Sequence, residues 1–256
     1  TMQVIPKLVY NVYEKKLYSE IKNKPVPHHV AIILDGNRRG SKLLGVSYEN
    51  GYELGAKKLE EVLDWAWEIG VKIVTVWVFS TENFFRPKEQ VETIMRLARE
   101  KLISIRENPR IHKNAVKVNI LGRISLLPKE VQEEIKKTTE ATANYSKYVL
   151  NVCMAYGGRA EIVDALKEII NKAKEGIIDY DDVDEDLIAE HLYTSNIPDP
   201  DLIIRTSGEE RLSGFLLWQS AYSEFYFTEV HWPLFRKIDF WRAIRTYQQR
   251  HRRYGK

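Results

Sequence analysis

The sequence has little of what marks secreted, membrane-spanning or nucleotide-binding proteins. Cys153 is the only cysteine among the 256 residues, so no internal disulfide can form and a reducing cytoplasm is the expected compartment. No run approaches the roughly 20 apolar residues that a membrane-spanning helix needs. The phosphate-binding loop pattern of nucleoside triphosphatases and the glycine fingerprint of dinucleotide-binding domains are both missing, which disfavours those two classes.

The charge is nearly balanced, with 39 Lys and Arg residues against 36 Asp and Glu residues. Residues 236–256 are the exception, because they hold eight Lys or Arg residues and one acid, Asp239. Such a segment can favour nucleic acid, anionic lipid or phosphorylated ligands. A nucleic-acid-binding protein typically carries a broader basic surface, so we expect a solvated helix end and no nucleic-acid partner.

Short apolar runs alternate with helical periods along the chain. The strand-like runs are rich in β-branched residues and lack the polar alternation of a half-exposed sheet. They span residues 29–34, 72–79, 116–121, 148–154 and 201–205. Helical periods occupy residues 59–69, 91–105 and 162–170. This alternation predicts an α/β fold with a parallel sheet covered by helices on both faces.

The first residues form a separate segment in this interpretation. Leu8, Val12, Leu17 and Ile21 lie near one helical face with lysines among them, which predicts a basic amphipathic helix. This helix could lie on a membrane surface or pack on the core, and the sequence leaves both open. We therefore divide the chain into an N-terminal amphipathic helix over 1–26 and one main domain over 27–256. An acidic stretch at 176–190 is expected to be solvated surface.

Polar and basic side chains follow the predicted strands, where parallel sheets bind ligands. The segments concerned are 35–40, 80–87, 156–159 and 206–214. A glycine turn followed by a helix start exposes backbone N–H groups that bind anions, and arginines hold phosphate oxygens in pairs. Asp35 at the end of a buried strand suits Mg²⁺, which is commonly bound by one or two carboxylates together with phosphates. The sequence therefore predicts a polyphosphate site; a diphosphate with magnesium fits, and a nucleotide is not excluded.

Several blocks of this sequence resemble those of the cis-prenyltransferases. They comprise HVAIILDGNRR at 29–39, FSTENF at 79–84 followed by Arg86-Pro87, YGGR at 156–159, IRTSGE at 204–209, RLS at 211–213, FLLWQ at 215–219, Glu224 and Trp232-Pro233. The blocks run in the same order as in enzymes of the undecaprenyl diphosphate synthase type and cover nearly the whole chain. The N-terminal helix and residues 53–82 are similar to archaeal members, which start from geranylgeranyl diphosphate.

The resemblance implies an α/β single domain of the undecaprenyl diphosphate synthase fold. It has a six-stranded, mainly parallel sheet flanked by helices, an elongated hydrophobic tunnel and a homodimeric assembly. The implied reaction is Mg²⁺-dependent condensation of isopentenyl diphosphate onto an allylic diphosphate, geranylgeranyl or farnesyl diphosphate. The product would be a long-chain polyprenyl diphosphate, the precursor of a glycosyl carrier lipid. We expect a cytoplasmic enzyme, with peripheral membrane contact as an open question.

The resemblance also implies roles for individual residues. Asp35 would bind Mg²⁺ as the main catalytic residue, Asn83 would assist proton removal from isopentenyl diphosphate, and Glu224 would be a second metal ligand. The residues expected to bind the allylic diphosphate are Gly36, Asn37, Arg38, Arg39 and Tyr52. Those expected at the junction of the two substrates are Ser80, Thr81, Glu82, Phe84 and Arg86. Those expected to hold isopentenyl diphosphate are Arg205, Arg211 and Ser213.

Two positions depart from the family pattern. Gly40 stands where the family usually has an aromatic residue, and Tyr52 replaces a histidine that is associated with the allylic diphosphate. These departures keep one alternative open, a non-catalytic accessory subunit of a heteromeric enzyme. Such a subunit should have lost the metal carboxylate and the arginines, whereas Asp35, Arg205 and Arg211 are present. Product length and the preferred starter are not readable from the sequence.

Overall fold

The computed structural model describes residues 7–250, so the basic residues Arg252, Arg253 and Lys256 lie outside the described part. Six strands form a sheet in the order β3-β4-β2-β1-β5-β6. The strands are β1 (His29–Ile33), β2 (Ile73–Ser80), β3 (Val116–Leu121), β4 (Tyr148–Tyr156), β5 (Leu202–Arg205) and β6 (Glu224–Phe227). The pairs β1–β5, β5–β6 and β3–β4 are parallel. The predicted α/β fold with a six-stranded, mainly parallel sheet is confirmed.

Helices occupy most of the chain between the strands. They are α1 (Lys7–Ile21), α2 (Asn37–Leu44), α3 (Tyr48–Ile69), α4 (Lys88–Glu107), α5 (Pro109–Lys113), α6 (Lys129–Thr142), α7 (Gly158–Lys174), α8 (Glu185–His191) and α9 (Lys237–Gln249). The chain divides into two compact units. The first comprises the described residues up to 74 with 201–210 and those from 224 onward, and the second comprises 75–200 with 211–223.

In the first unit, β1 and β5 are buried along their whole length. Their apolar, β-branched side chains suit a parallel strand that has no solvent-facing side. β6 is the exception, because its four residues, Glu224–Phe227, are only half-buried. As a strand at the end of the sheet order it has one neighbour, and the sequence patterns alone did not indicate it.

Helix α1 packs along α9 in the first unit. Leu17 and Ile21 are buried, and the ring centroid of Tyr18 lies 5.5 Å from that of Trp241. The predicted apolar face was partly wrong, since Val12 is 61% exposed on the opposite side of the helix. The side chain of Leu8 lies outside the described set. No helix among residues 7–250 combines the length and the apolar character needed to cross a membrane.

In the second unit, α7 buries a different face from the one its sequence suggests. Ala165 and Ile169 are buried, whereas Val163, Leu166 and Ile170 are 44%, 43% and 51% exposed. These three exposed residues recur at helical spacing and form a continuous apolar stripe, which we call the α7 stripe. The acidic stretch at 176–190 is mostly exposed, as expected.

Helices α2 and α3 approach each other so closely that two positions of α3 have no room for a side chain. A Cβ atom at Gly51 would lie 1.6 Å from the Oγ atom of Ser41, and one at Gly55 would lie 2.4 Å from Oδ1 of Asn37. The Ser41 hydroxyl is fixed in place because it donates to the backbone oxygen of Asn37 at 2.6 Å. The two glycines of α3, four residues apart, therefore form a groove that receives α2.

The substitution Gly51→Ala should destabilise the protein by about 1–3 kcal/mol, because the new methyl group overlaps the buried Ser41 side chain. Urea-induced unfolding measures this change. Glu53→Ala, at an exposed position of the same helix, is the control and should be nearly neutral. Adding Ser41→Gly should recover part of the loss; equal stability of Gly51→Ala and the unaltered protein would contradict the close contact.

Candidate functional site

A tight turn joins β1 to α2 in the first unit. Gly36 has a φ of +94°, and a Cβ atom there would lie 2.6 Å from Oγ of Ser207, so both backbone angle and space favour glycine. Helix α2 begins at the next residue, Asn37. Because the N-cap residue is glycine, it has no side chain to accept hydrogen bonds from the first-turn N–H groups. This turn therefore presents a helix N-terminus that suits an anion.

Asp35 lies immediately before this turn and contacts a buried arginine. Pairing of β1 with β5 aligns Ile33 with Arg205, so the residues that end the two strands are neighbours. Arg205 is 5% exposed, and its Nη2 atom lies 2.9 Å from Oδ2 of Asp35. The hydroxyl of Thr206 donates to the backbone oxygen of Asp35 at 2.7 Å. The carboxylate is thus fixed in orientation by a charged partner and by its own backbone.

Exposed arginines surround the same turn. Nη2 of Arg39 lies 3.6 Å from the Asp35 carboxylate, and its Nη1 lies 3.5 Å from Oε1 of Glu209. The Arg39 side chain is half exposed, and Arg38 is exposed as well. Both guanidinium groups can therefore reach a ligand from solvent while Arg205 stays in place. Planar guanidinium donors of this kind bind phosphate oxygens in pairs.

Asn37 of α2 packs against Gly55 of α3, and Tyr52 lies on α3 itself. The Asn37 amide nitrogen donates to the backbone oxygen of Leu34 at 3.1 Å, which leaves its backbone N–H as the group facing an anion at the helix start. Tyr52 is half-buried, and its ring centroid lies 4.6 Å from that of Tyr48. The glycines on either side of Tyr52 are the ones that receive α2. Packing against α2 therefore explains why positions 51 and 55 are glycine.

Gly40, the other departure from the family pattern, is buried against a neighbouring turn. A Cβ atom at Gly40 would lie 3.0 Å from Cδ of Pro233 and 3.4 Å from Cβ of His231. An aromatic side chain has no room there while the 231–233 turn keeps its position. Glycine at this position follows from the close contact between α2 and that turn.

Glu224 lies away from Asp35 within one copy of the chain. It begins β6 and aligns with Leu202, whereas Asp35 follows the end of β1 that aligns with Arg205. Three residues of parallel strand separate these levels by about 10 Å. The Glu224 carboxylate instead pairs with Nη1 of Arg250 at 2.7 Å. Within one copy of the chain, Glu224 therefore does not join Asp35 at this turn.

No preformed metal cluster exists in the described part: His, Cys, Asp and Glu side chains of residues 7–250 form no group of three or more that could hold an ion. Asp35 is 29% exposed, so one of its oxygen atoms can face a ligand while Arg205 holds the other. Mg²⁺ keeps several waters and commonly binds through one carboxylate plus substrate phosphates. A single, partly exposed carboxylate at Asp35 therefore fits Mg²⁺ binding of this kind.

The second unit contains the other predicted site residues. A 3₁₀ turn, Thr81–Phe85, follows β2, and the backbone N–H of Ser80 donates to Oδ1 of Asn83 at 3.1 Å. Phe84 packs edge-on against buried Phe79 with 4.9 Å between ring centroids. Glu82 is exposed and Arg86 is half-buried. The turn thus holds Asn83 through its amide oxygen and leaves charged side chains at the surface.

A buried network supports the segment that carries Arg211 and Ser213, which are themselves exposed. The Tyr156 hydroxyl donates to Glu161 and accepts the N–H of Leu216 at 3.2 Å. The Gln219 amide donates to Glu161 at 3.1 Å and to Thr194 at 2.8 Å. The N–H of Gly158 donates to the backbone oxygen of Gly214 at 2.7 Å. These bonds tie residues 214–219 to the end of β4 and the start of α7.

Glu161 is a buried carboxyl group whose hydrogen-bond donors in this network are uncharged. Burial is the main cause that raises its pKa, against hydrogen bonds from Tyr156 and Gln219 that lower it. Burial also raises the pKa of Tyr156, with the nearby Glu161 charge as a further cause. The sequence analysis missed Glu161, because a single acid at the start of a helix carries no distinguishing pattern; Tyr156 and Gln219 were quoted only as parts of blocks.

The chain is similar to known proteins over most of its length. Residues 33–255 match the family described as "Putative undecaprenyl diphosphate synthase". A tritrans,polycis-undecaprenyl-diphosphate synthase (geranylgeranyl-diphosphate specific) of Methanocaldococcus jannaschii is 52% identical, over 97% of this chain and 89% of that protein. An isoprenyl transferase of Thermus thermophilus is 51% identical, over 97% of this chain and 96% of that protein.

Two solved structures have a similar fold. Lavandulyl diphosphate synthase from Lavandula x intermedia, in complex with dimethylallyl diphosphate, has a TM-score of 0.86 at 36% identity and covers 90% of this chain and 99% of its own. A "probable undecaprenyl diphosphate synthase" from Campylobacter jejuni has a TM-score of 0.75 at 30% identity and covers 91% of this chain and 100% of its own.

Tyr156→Phe should lower stability by about 1–3 kcal/mol, because it leaves the Leu216 N–H without its acceptor and removes one donor from Glu161. Hydrogen exchange at the Leu216 amide should accelerate along with the fall in melting temperature. Tyr180→Phe, at a position that is 87% exposed, is the control. Unchanged exchange at Leu216 would show that the network does not hold the 214–219 segment.

Proposed function

The chain belongs to the undecaprenyl diphosphate synthase family and is a prenyltransferase, and we propose that it extends geranylgeranyl diphosphate with isopentenyl diphosphate units to a long-chain polyprenyl diphosphate. The observation that carries this proposal is the Asp35 turn. There a single oriented carboxylate, a buried arginine and an open helix N-terminus meet at the ends of β1 and β5. The starter is proposed from relatives named as specific for geranylgeranyl diphosphate.

The first step is departure of diphosphate from the allylic substrate. Backbone N–H groups of Gly36, Asn37 and Arg38 at the start of α2, with Arg39, would hold its oxygen atoms. Asp35 would bind Mg²⁺, which when present offsets the negative charge that develops on the departing group. Arg205 fixes the Asp35 carboxylate, so little reorganisation is needed as that charge grows. Tyr52 stays a proposed hydrogen-bond donor to the same diphosphate.

The second step joins C1 of the allylic substrate to the double bond of isopentenyl diphosphate, with loss of one proton. Arg211, Ser213 and Arg205 would hold the isopentenyl diphosphate group, and Asn83 would orient it for proton loss. The residues proposed to line the reacting region with them are Ser80, Thr81, Glu82, Phe84 and Arg86. Most of the rate enhancement would come from placing two diphosphates with their carbon ends in contact. The elongated hydrophobic tunnel and the carrier-lipid fate of the product stay predictions.

Glu224 is proposed as a metal ligand only in an assembly of two copies, because within one copy it is paired with Arg250 at the other end of the sheet. The accessory-subunit alternative has no support in the comparisons, whose curated relatives are named as synthases or transferases. The residues that such a subunit would have lost are also present, and two of them, Asp35 and Arg205, form an ion pair.

Labelled isopentenyl diphosphate should be incorporated in the presence of Mg²⁺, best with geranylgeranyl diphosphate among geranyl, farnesyl and geranylgeranyl starters. Asp35→Asn should lower kcat on the order of 10²–10³-fold, because the carboxylate that would hold the metal is lost. Asp181→Asn, in the exposed acidic stretch, is the control and should leave turnover unchanged. Folded protein that incorporates nothing with any starter would instead favour the accessory subunit.

A homodimer is proposed from the α7 stripe. Val163, Leu166 and Ile170 form an exposed apolar face at helical spacing, and a surface of this kind on one protomer can pair with its copy about a twofold axis. Lys167, four residues after Val163 and three before Ile170, borders the stripe on one side.

Leu166→Glu should convert the dimer to a monomer at micromolar concentration in sedimentation velocity, because the new charge would be buried without a partner. Asn171→Glu adds the same charge at an exposed position of α7 away from the stripe and should leave the dimer intact. A dimer that survives Leu166→Glu would show that a different surface is used.

We also propose a cytoplasmic enzyme that contacts membranes through the outer face of α1, with catalysis confined to residues 27–256. Val9 and Val12 are 55% and 61% exposed, and Lys15, Lys16 and Lys22 are exposed too. A shallow apolar strip bordered by lysines suits the surface of an anionic bilayer.

Replacing Lys15 and Lys16 by Glu should weaken binding to phosphatidylglycerol vesicles on the order of tenfold or more, since each lysine near an anionic surface contributes about 1 kcal/mol. A paired Lys88→Glu and Lys136→Glu variant has the same net charge with both changes on other exposed helices. Deleting α1 is unsuitable, because its buried face covers α9. Equal binding by both double variants would retire this contact.

A further inference from the structure

Two chain segments pack against the Gly36 turn of the first unit. Residues 205–208 include the last residue of β5 and the three that follow it, and residues 228–233 follow β6. Backbone bonds join them: the N–H of Ser207 donates to Val230 at 2.9 Å, and the N–H of Gly208 donates to Thr228 at 2.9 Å. The N–H of Trp232 donates to the backbone oxygen of Asp35 at 3.0 Å, so the second segment also touches the turn directly.

A hydrogen bond between two side chains also joins the two segments. Oγ of Ser207 lies 2.7 Å from Nδ1 of His231. A Cβ atom at Gly36 would lie 2.6 Å from that Oγ and 2.9 Å from that Nδ1, so the turn rests on both bonded atoms. Cβ of His231 is also one of the atoms against which Gly40 of α2 packs. The pair thus contacts the turn and the first helical turn of α2 together.

Ser207 keeps its hydroxyl at a cost in backbone strain. Its φ is +79°, in the left-handed region where glycine is favoured, and the following residue, Gly208, has a φ of +76°. The side chain is also buried, so an unpaired hydroxyl would be unfavourable. The bond to His231 satisfies it and gives a reason for serine at a position whose backbone suits glycine.

From this geometry we infer that Ser207 and His231 are positioning residues for the diphosphate of the allylic substrate. Their hydrogen bond fixes the position of Gly36 and the direction of the N–H groups at the start of α2. Neither side chain contacts the substrate in this role. This inference rests on the proposed function, in which those N–H groups bind that diphosphate. It predicts a larger effect on the allylic substrate, because the bonded atoms of Ser207 and His231 lie against Gly36 itself. Of the residues that would hold isopentenyl diphosphate, Arg211 and Ser213 lie in the second unit, and Arg205 is held by its own ion pair with Asp35.

The test compares Ser207→Ala, His231→Leu, the double variant and His231→Asn. Losing one hydrogen bond should raise KM for the allylic diphosphate about three- to tenfold, with KM for isopentenyl diphosphate changed less than twofold. The double variant should be no worse than either single variant, because both remove the same bond. His231→Asn, whose amide can replace Nδ1, should restore most of the affinity. His28→Leu, at an exposed histidine, is the control.

Titration calorimetry with inorganic diphosphate and Mg²⁺ reads the same effect without turnover. Weaker binding in both single variants, restored in His231→Asn, supports the positioning role even if every starter proves unreactive. Equal rises in both KM values, additive losses, or a lowered melting temperature without weaker diphosphate binding would overturn it. Unaltered protein that neither binds diphosphate nor turns over would overturn the proposed function, and this inference with it.

Discussion

The ion pair between Asp35 and Arg205 depends on the parallel pairing of β1 with β5. That pairing sets Ile33 beside Arg205, so the carboxylate that follows β1 lies 2.9 Å from a guanidinium that is itself buried. A buried guanidinium without a charged partner would be costly, and a carboxylate without a fixed partner would be mobile. Each therefore constrains the other, and the Gly36 turn and the start of α2 follow directly in the chain.

The polar groups at the Asp35 turn and those around Glu161 are stabilised by different means. At the Asp35 turn in the first unit, the Asp35 carboxylate pairs with the Arg205 guanidinium. The Thr206 hydroxyl also donates to the backbone oxygen of Asp35. In the second unit, the buried Glu161 carboxyl group accepts bonds from the hydroxyl of Tyr156, the amide of Gln219 and the N–H of Tyr193. The Asp35 carboxylate, which is 29% exposed, can bind a ligand through one oxygen atom while Arg205 holds the other. A buried network of neutral donors offers no such exposed atom and is suited to fixing a segment in place.

Sequence patterns predicted the fully buried strands well, because β1 and β5 have no solvent-facing side and read as continuous apolar runs. They failed for β6, whose residues are half-buried at the end of the sheet, and for the start of α3, where Gly51 and Gly55 interrupt the helical pattern. Those glycines are needed by tertiary packing against α2, which one sequence cannot reveal. The outward face of α7 was misjudged for a related reason, since apolar spacing does not say which of two faces is covered.

The site residues followed a similar division. Residues directly after a strand, such as Asp35, were predictable because parallel strands end at a common edge. The partners of those residues were not, because the contact of Ser207 with His231 joins positions 24 residues apart with no shared pattern. Glu224 begins β6, at the strand end opposite to the Asp35 turn, and its role as a second metal ligand stays a prediction.

The Pro233 ring fills the space that a side chain at position 40 would need, since a Cβ atom there would lie 3.0 Å from Cδ of the proline. The size of residue 40 and the position of the 231–233 turn therefore constrain each other. An aromatic residue at position 40 would require a retreat of the 231–233 turn, and that retreat would also carry away the imidazole next to it. A chimera that imports α2 from a relative with a bulky residue there would therefore have to import the distant 231–233 turn as well. Exchange of the helix alone would fail for reasons unrelated to its chemistry.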